Sequence, residues 1–216
     1  MTPLAGISLI SLWMGLVLIL AVLARRRWPL QRELSRKIVH IGTGPVLPLA
    51  WWLEIPLALA APIALAVSVL ALINHRWRLL PAVEDVDRHS YGTVAYGLAI
   101  TTLLVLFWPD QAQAACAGVL VMAAADGLAG LIGRALQSPQ WQLWGQNKSI
   151  AGTLTMAVVS LGVLAGLAAF SPHHPDATGL VVISLLAVGL EQVSKWGIDN
   201  LSVPIGVALS WQWLSG

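Results

Sequence analysis

Charged residues are scarce in this sequence. Only 10% of its 216 residues are Asp, Glu, Lys or Arg, whereas 57% are hydrophobic. Soluble domains carry about 25% charged residues, so the composition argues against a soluble domain and indicates a polytopic membrane protein. The net charge of +2 says little about acidic partners, and we expect no nucleic-acid partner.

Cysteine is almost absent as well. The single cysteine, Cys116, lies in an apolar run, so an intramolecular disulfide and a metal site built on cysteines are excluded. The motifs HExxH and GxSxG are missing, which argues against a zinc protease and a serine hydrolase. The glycines before Lys148 do not have P-loop spacing. No internal repeat or separate soluble domain is visible, so we treat residues 1–216 as one membrane domain.

Long apolar runs recur along the whole chain. A helix that crosses a bilayer needs about 20 residues, and we identify eight candidate crossings, of which the second and the last are short. They are residues 4–24, 38–53, 56–74, 92–109, 113–135, 150–170, 177–194 and 201–215. The second contains two prolines and two glycines, which predicts a kink. We therefore predict an all-α, polytopic transmembrane helix bundle of seven or eight spans.

The basic residues predict the orientation of this bundle. All twelve Lys and Arg residues fall in 25–37, 75–90, 134–149 or at Lys195, which lie on one side of an eight-span bundle. Cytoplasmic loops collect Lys and Arg, so we expect these segments in the cytoplasm and the N-terminus outside. The first run is followed by its basic cluster, whereas in a signal peptide the basic residues come first, so we expect a retained helix.

Asp126 lies inside an apolar run, about 12 Å along the helix from Arg134. A carboxylate at membrane depth is costly and usually faces a protein interior or a water-filled cavity. Gly130, Gly133 and Arg134 fall on the same helix face. Each glycine alone is typical of helix packing, but beside an acid the glycines also let a ligand approach closely. We therefore expect a functional role for Asp126.

Together with Asp126, the polar segment GQNKSIAGT forms the first polar cluster, and it precedes the sixth candidate crossing. Ser149 is placed to cap that helix, and Gly152 lies in its first turn. A lysine at 148, a hydroxyl and the N–H groups of a helix N-terminus together suit a phosphate. The alternative is an interfacial lysine in front of an ordinary capped helix.

Two more polar clusters flank predicted crossings. Lys37, His40 and Gly44 share one helix face, with Arg36 four residues before His40. Positive-inside anchoring is the alternative for the two basic residues, and His40 fits a satisfied buried histidine, a general base or a phosphate ligand. In EQVSKWGIDNLSVP, Glu191 and Lys195 have the spacing of a helical ion pair. Asp199 and Asn200 are placed either to cap the last crossing or to bind Mg²⁺.

A fourth cluster, DRHSYGTVAYG, opens the fourth crossing with Arg88, Ser90 and Tyr91. All four clusters fall on the predicted cytoplasmic side. A buried acid surrounded by cations at helix N-termini fits Mg²⁺ with a polyphosphate.

Several of these motifs resemble those of a known family. RKIVHIGTG, SYGTVAY, AADGLAGLIGR with NKSIAGT, and DNLSVP resemble the phytol kinase and dolichol kinase family of CTP-dependent polyprenol kinases, in family order between about residues 32 and 206. The AADGLAGLIGR–NKSIAGT pair is the most specific part. DNLSVP points to the phytol kinase branch, which implies a photosynthetic origin and a cyanobacterial plasma or thylakoid membrane.

The resemblance implies a kinase that uses CTP and Mg²⁺ to phosphorylate phytol, geranylgeraniol or farnesol at the membrane surface. Asp126 matches the magnesium-binding acid, and Arg134, Lys148 and Ser149 match contacts to the nucleotide phosphates. Further roles are hypotheses: Arg36, Lys37 and Gly152 as nucleotide contacts, His40 as the proton acceptor, and Asp199 and Asn200 as additional metal ligands.

One departure from the family affects the metal site. Family members often read DGxAD or DxxAS where this chain has DGLAG, so Gly130 replaces an acidic or hydroxyl residue. A second metal contact then comes from Asp199, Asn200 or Glu191, or is missing.

Three alternatives stay open at this point. A lipid cytidylyltransferase would use the same nucleotide and metal but release pyrophosphate. A transporter would carry polar residues through both halves of the membrane and show two related halves, neither of which is visible. A non-catalytic membrane subunit would leave Asp126 unexplained.

Overall fold

The computed structural model describes residues 2–80, 82–83 and 91–216. Arg88 and Ser90 of the fourth polar cluster lie outside the described residues. Within the described residues the chain is helical apart from one short hairpin. Its elements are α1 (Pro3–Arg27), α2 (Arg32–Thr43), α3 (Val46–Trp52), α4 (Leu57–Trp77), α5 (Gly92–Phe107), α6 (Ala112–Leu120), a π-helix (Val121–Asp126), α7 (Gly127–Ala135), β1 (Gln140–Leu143), β2 (Gln146–Ser149), α8 (Ile150–Ala168), α9 (Ala177–Val193) and α10 (Asp199–Leu214).

Four helices in the described part of the chain are long and apolar enough to cross a membrane. They are Pro3–Arg27, Leu57–Trp77, Ala112–Ala135 and Ile150–Ala168. The helix Ala112–Ala135 joins α6, the π-helix and α7 without a break. In its most apolar window 61% of the residues are buried, against 17% in each of the other three. This helix, which carries Asp126, therefore forms the centre of the bundle.

The second predicted crossing is kinked, as its composition predicts. It consists of α2 and α3, which are separated at Gly44 and Pro45. A proline lacks the N–H that a continuous helix would need at that position. The helix begins at Arg32 rather than at residue 38, so Lys37 and His40 lie within a single helix.

Small residues allow the central helix to pack closely against α10. The buried residues of α6 are mostly alanines, together with Cys116 and Gly118. A Cβ atom added to Gly118 would lie 2.3 Å from the backbone oxygen of Pro204 in α10. Close backbone contact of this kind is typical of helix packing in membranes. It fixes the position of α10, whose first turn contributes to the polar site described below.

The segment between α7 and α8, where we predicted a loop, contains an antiparallel hairpin of β1 and β2. Its turn residues Trp144 and Gly145 both have positive φ angles, 53° and 75°, as in the tight turns that suit hairpins. The predicted cap at Ser149 is confirmed, because its Oγ accepts a hydrogen bond of 3.1 Å from the Gly152 N–H.

The predicted cap at Asp199 or Asn200 is wrong. The turn before α10 passes through Trp196 and Gly197, which both have positive φ angles, and Ile198 occupies the cap position. Asp199 is therefore the first residue of the helix. An acid there still favours the helix through its dipole.

The contact between α6 and α10 gives a matched test of this packing. Gly118→Ala should lower the free energy of unfolding by about 1–3 kcal/mol, because the added methyl group meets the backbone of Pro204. Gly162→Ala is the control, since no atom lies within 4 Å of a Cβ atom at that position in α8. Thermal unfolding in detergent measures both. Equal melting temperatures for the two variants would contradict the packing.

Candidate active site

A polar cavity of about 620 Å³ lies where α2, α7, the hairpin, and the ends of α8, α9 and α10 meet. Nine of the ten predicted site residues line it: Arg36, Lys37, Asp126, Arg134, Lys148, Ser149, Gly152, Asp199 and Asn200. The fold thus brings together three polar clusters that are far apart in the sequence. His40 is the exception, since it does not line the cavity.

Asp126 is buried at the end of the π-helix and contacts a lysine from α2. The Lys37 Nζ donates to Asp126 Oδ2 at 2.8 Å and to the Asp126 backbone oxygen at 3.1 Å. Short π-helical segments interrupt the regular hydrogen-bond ladder and are frequent at functional sites. Sequence reasoning identified both residues but did not predict this ion pair or the π-helix.

His40 lies behind Asp126, away from the cavity. Its Nε2 is 3.1 Å from Asp126 Oδ2 and 3.0 Å from the Met122 backbone oxygen. A carbonyl oxygen can only accept a hydrogen bond, so Nε2 carries hydrogen and donates. The Tyr96 hydroxyl donates to the His40 backbone oxygen at 2.9 Å, and the two rings meet edge to face. These contacts hold His40 as a partner of Asp126 rather than as a group facing a ligand.

The glycines of α7 allow α2 to approach Asp126. A Cβ atom at Gly127 would lie 2.4 Å from Ile41, and one at Gly130 would lie 2.9 Å from Lys37 Cε. Larger residues would therefore push α2 and its lysine away from the acid. Helix packing, the alternative weighed for these glycines, is confirmed at both positions.

Lys148 forms the second buried ion pair of the cavity. Its Nζ pairs with the Glu191 carboxylate and donates to the Glu191 backbone oxygen at 2.8 Å. The other carboxylate oxygen accepts from the Gln192 amide at 2.9 Å. The predicted pair between Glu191 and Lys195 is wrong, because α9 ends at Val193 and Lys195 is no longer helical. Its ammonium lies over the Trp196 ring instead.

Two arginines gather around a carboxylate at the rim of the cavity. The Arg134 guanidinium lies 2.8 Å from Glu33 Oε1, and its Nε donates to the Gly130 backbone oxygen at 2.9 Å. Arg36 pairs with the same carboxylate. Burial opposes ionisation of Glu33, but hydrogen bonds and charge from the two arginines outweigh it and hold the pKa of Glu33 well below its usual range. Sequence reasoning missed Glu33, although its position three residues before Arg36 indicated an ion pair.

The start of α8 is packed tightly against α7. The Ser149 hydroxyl donates to the Gly133 backbone oxygen at 3.3 Å. The first N–H groups of α8 are already bonded within the protein: Ile150 to Pro139 O, Ala151 to Ser138 Oγ, and Gly152 to Ser149 Oγ. The phosphate site predicted here therefore depends on Lys148 and the helix dipole rather than on free N–H groups.

Asn200 provides a buried oxygen at the opposite wall of the cavity. Its side chain is 3% exposed, and its Nδ2 donates to the Gly92 backbone oxygen at 2.9 Å. Within the described residues its Oδ1 is buried and has no hydrogen-bond partner. Such an orphan acceptor is costly unless a ligand satisfies it.

The oxygen donors of this cavity fit Mg²⁺ better than a transition metal. Among the described residues, no group of three or more His, Cys, Asp or Glu side chains is close enough to form a metal cage. Mg²⁺ usually takes one or two carboxylates and completes its shell with water and substrate phosphates. Asp126, Asp199 and Asn200 line the same cavity and carry oxygen donors of this kind.

The arrangement is typical of a membrane enzyme that works on a charged ligand at one end of an apolar bundle. Comparisons with known proteins narrow this class. A phytol kinase of Synechocystis sp. is 38% identical to this chain over an alignment of 217 positions. The alignment covers 97% of this chain and 93% of that protein. This chain therefore belongs to the phytol kinase family.

More distant relatives come from plants. The probable phytol kinase 2, chloroplastic, of Oryza sativa is 28% identical over 83% of this chain and 66% of its own length. The farnesol kinase, chloroplastic, of Arabidopsis thaliana is 27% identical over 86% of this chain and 66% of its own length. No family model matches the chain, and no solved structure matches it significantly.

The pair between Lys37 and Asp126 yields a prediction about stability. Lys37→Met should lower the free energy of unfolding by about 3–5 kcal/mol, because it leaves a buried carboxylate without its cation. The double variant Lys37→Met/Asp126→Leu should recover part of this loss. Lys195→Met is the control and should cost less than about 1 kcal/mol, since that ammonium only contacts an exposed ring.

Thermal unfolding of the purified variants without nucleotide checks this. A Lys37→Met protein as stable as the wild type would show that the ion pair is not formed.

Proposed function

We propose that this protein transfers the terminal phosphoryl group of CTP to the hydroxyl of phytol or a related isoprenoid alcohol. The main support for this proposal is the polar cavity. The buried Asp126 carboxylate, the buried Lys37 and Lys148, and the unpaired oxygen of Asn200 meet there at one end of an apolar helix bundle. The chain is a phosphotransferase by its family. Relatives named phytol kinase and farnesol kinase support an alcohol with an isoprenoid tail.

The residues that hold the metal and the nucleotide follow from this proposal. Asp126, Asp199 and Asn200 would supply oxygen atoms to Mg²⁺, which when bound would neutralise charge on the phosphates. Lys148 and Arg134 would contact the phosphates, with Ser149 and Gly152 beside them at the start of α8. Arg36 and Lys37 would contribute positive charge from α2. Phosphoryl transfer depends mainly on positioning and on such charge stabilisation.

His40 fits a positioning role in this scheme. The sequence hypothesis made it the acceptor of the hydroxyl proton, but its Nε2 already donates to Asp126 and Met122. A loose transition state needs no strong base, so a carboxylate or phosphate oxygen in the cavity can take the proton. His40 then keeps the Asp126 carboxylate oriented, as histidine and carboxylate partners do around metal ligands.

We also propose that the polar cavity faces the cytoplasm in a bundle of eight crossings with the N-terminus outside. Support comes from the five basic residues Arg36, Lys37, Arg134, Lys148 and Lys195, which all line the cavity and which the positive-inside rule assigns to the cytoplasm. A water-soluble nucleotide can then reach the phosphate site directly. The family relatives favour a cyanobacterial plasma or thylakoid membrane.

The proposed reaction can be tested with CTP labelled at the γ-phosphate and phytol as the acceptor. Wild-type protein should produce labelled phytyl phosphate and release CDP. Asp126→Asn should lower kcat by at least about a hundredfold, because the neutral amide cannot hold the metal charge. Asp110→Asn carries the same substitution at an exposed position outside the cavity and should match the wild type.

Other outcomes would change the proposal. Pyrophosphate in place of CDP would show a cytidylyltransferase. No lipid product from wild type with phytol, farnesol or geranylgeraniol would overturn the kinase proposal. Equal activity of Asp126→Asn and Asp110→Asn would remove Asp126 from the chemistry.

The role of His40 can be tested separately. His40→Gln keeps a side-chain N–H donor for Asp126, so we expect kcat to fall by no more than about tenfold, with the shape of its pH profile unchanged. His40→Ala, which removes the donor, should lose more activity. A general base would contribute about 10²–10⁴-fold, so an equally large loss in both variants, with one limb of the pH profile gone, would restore the proton-acceptor role.

A further inference from the structure

A second, apolar groove of about 490 Å³ lies between α9 and α10. Leu186 and Leu190 of α9 form one wall, and Ile205 and Leu209 of α10 belong to the other. Its residues on α10 run from Leu201 to Ser210, a length of about 14 Å at 1.5 Å per residue. The groove is open to the outside of the bundle, where Leu209 is 50% exposed.

Small residues of α10 create this space. Ser202, Gly206 and Ser210 recur every four residues and line the groove on one helix face. A Cβ atom at Gly206 would lie 2.6 Å from Leu190 Cδ1, so a larger side chain there would collide with Leu190 of the opposite wall and displace it. The Ser202 hydroxyl is bonded to Ser194 at 3.1 Å, so it does not present an unsatisfied polar group to the groove.

The groove lies next to the polar cavity along α9 and α10, with no lining residue in common. On α9, Leu190 lines the groove and the next residue, Glu191, lines the cavity. On the segment that enters α10, Gly197, Asp199 and Asn200 line the cavity, whereas Ile198 and Leu201 line the groove. Neighbouring residues of the same two segments therefore line the two spaces. The buried, unpartnered Oδ1 of Asn200 lies on the polar side of this junction.

We propose that this groove binds the isoprenoid tail of the acceptor alcohol; the inference rests on the kinase function proposed above. A hydroxyl that reacts beside Asp126 and Asn200 must lie in the polar cavity, while its tail needs an apolar path that leaves the cavity. The groove provides that path next to Asp199 and opens toward lipid. Burial of the tail along it is favourable in proportion to the apolar area removed from water.

A substitution that narrows the groove should weaken the binding of alcohols with long tails more than that of alcohols with short tails. Gly206 lies about 10 Å along α10 from Asp199, so a leucine there should obstruct a long tail more than a short one. For Gly206→Leu we expect the ratio of KM for phytol to KM for geraniol to rise about tenfold, with an unchanged KM for the nucleotide. Gly189→Leu is the matched control, because no atom lies within 4 Å of a Cβ atom there, and should leave the ratio unchanged.

A second measurement uses the wild-type protein and does not depend on whether the variant folds. A phytol analogue with a diazirine at the tail should label residues 186–190 or 201–210, and excess phytol should suppress the label. Labelling only on other helices, or labelling that phytol does not suppress, would overturn the proposal that the groove binds the tail.

These results separate the two proposals. A wild-type protein that phosphorylates no alcohol contradicts the kinase function. An active wild type, with an unchanged KM ratio in Gly206→Leu, contradicts the groove alone.

Discussion

A buried carboxylate in an apolar bundle is the constraint on which this structure depends. Asp126 lies in the helix that forms the centre of the bundle, where an unpaired charge would be strongly unfavourable. Lys37 and His40 from α2 both contact its Oδ2. They can do so because glycines on α7 let α2 approach, and because α2 begins early enough to carry both residues into the bundle.

The rest of the polar site is arranged around that cluster. The α8 helix packs against α7 through Gly133 and Gly152, which brings Ser149 to the cavity. Lys148 is held by Glu191 from α9, and Asn200 by the backbone of α5. These groups lie at the ends of α9 and α10 and in the strand that leads into α8, so the apolar packing of the bundle determines the relative positions of groups that are distant in sequence. This explains how a chain with few charges builds a strongly polar cavity.

Part of this architecture follows from the sequence alone. Apolar runs predict the helices, because a membrane requires that backbone groups be satisfied within each segment. Asp126 stands out because charges are rare in such runs, and Lys37 and Lys148 stand out because they lie just before the start of one. The partners of the charged side chains in ion pairs are harder to predict. The partner of Glu191 is Lys148 rather than the nearer Lys195, since the helix ends before Lys195 and tertiary contacts decide the outcome. No local sequence pattern predicts the π-helix at Asp126, the hairpin before α8 or the groove beside Gly206.

We propose above all that the cavity beside Asp126 binds the nucleotide with its metal. The most direct measurement is a structure of the protein in lipid nanodiscs with Mg²⁺ and a non-hydrolysable CTP analogue. We expect the triphosphate to lie against Lys148 and the start of α8, with the metal at ligand distance from Asp126 and Asn200. A nucleotide bound elsewhere, with the Lys37–Asp126 pair unchanged and no metal beside it, would contradict this proposal.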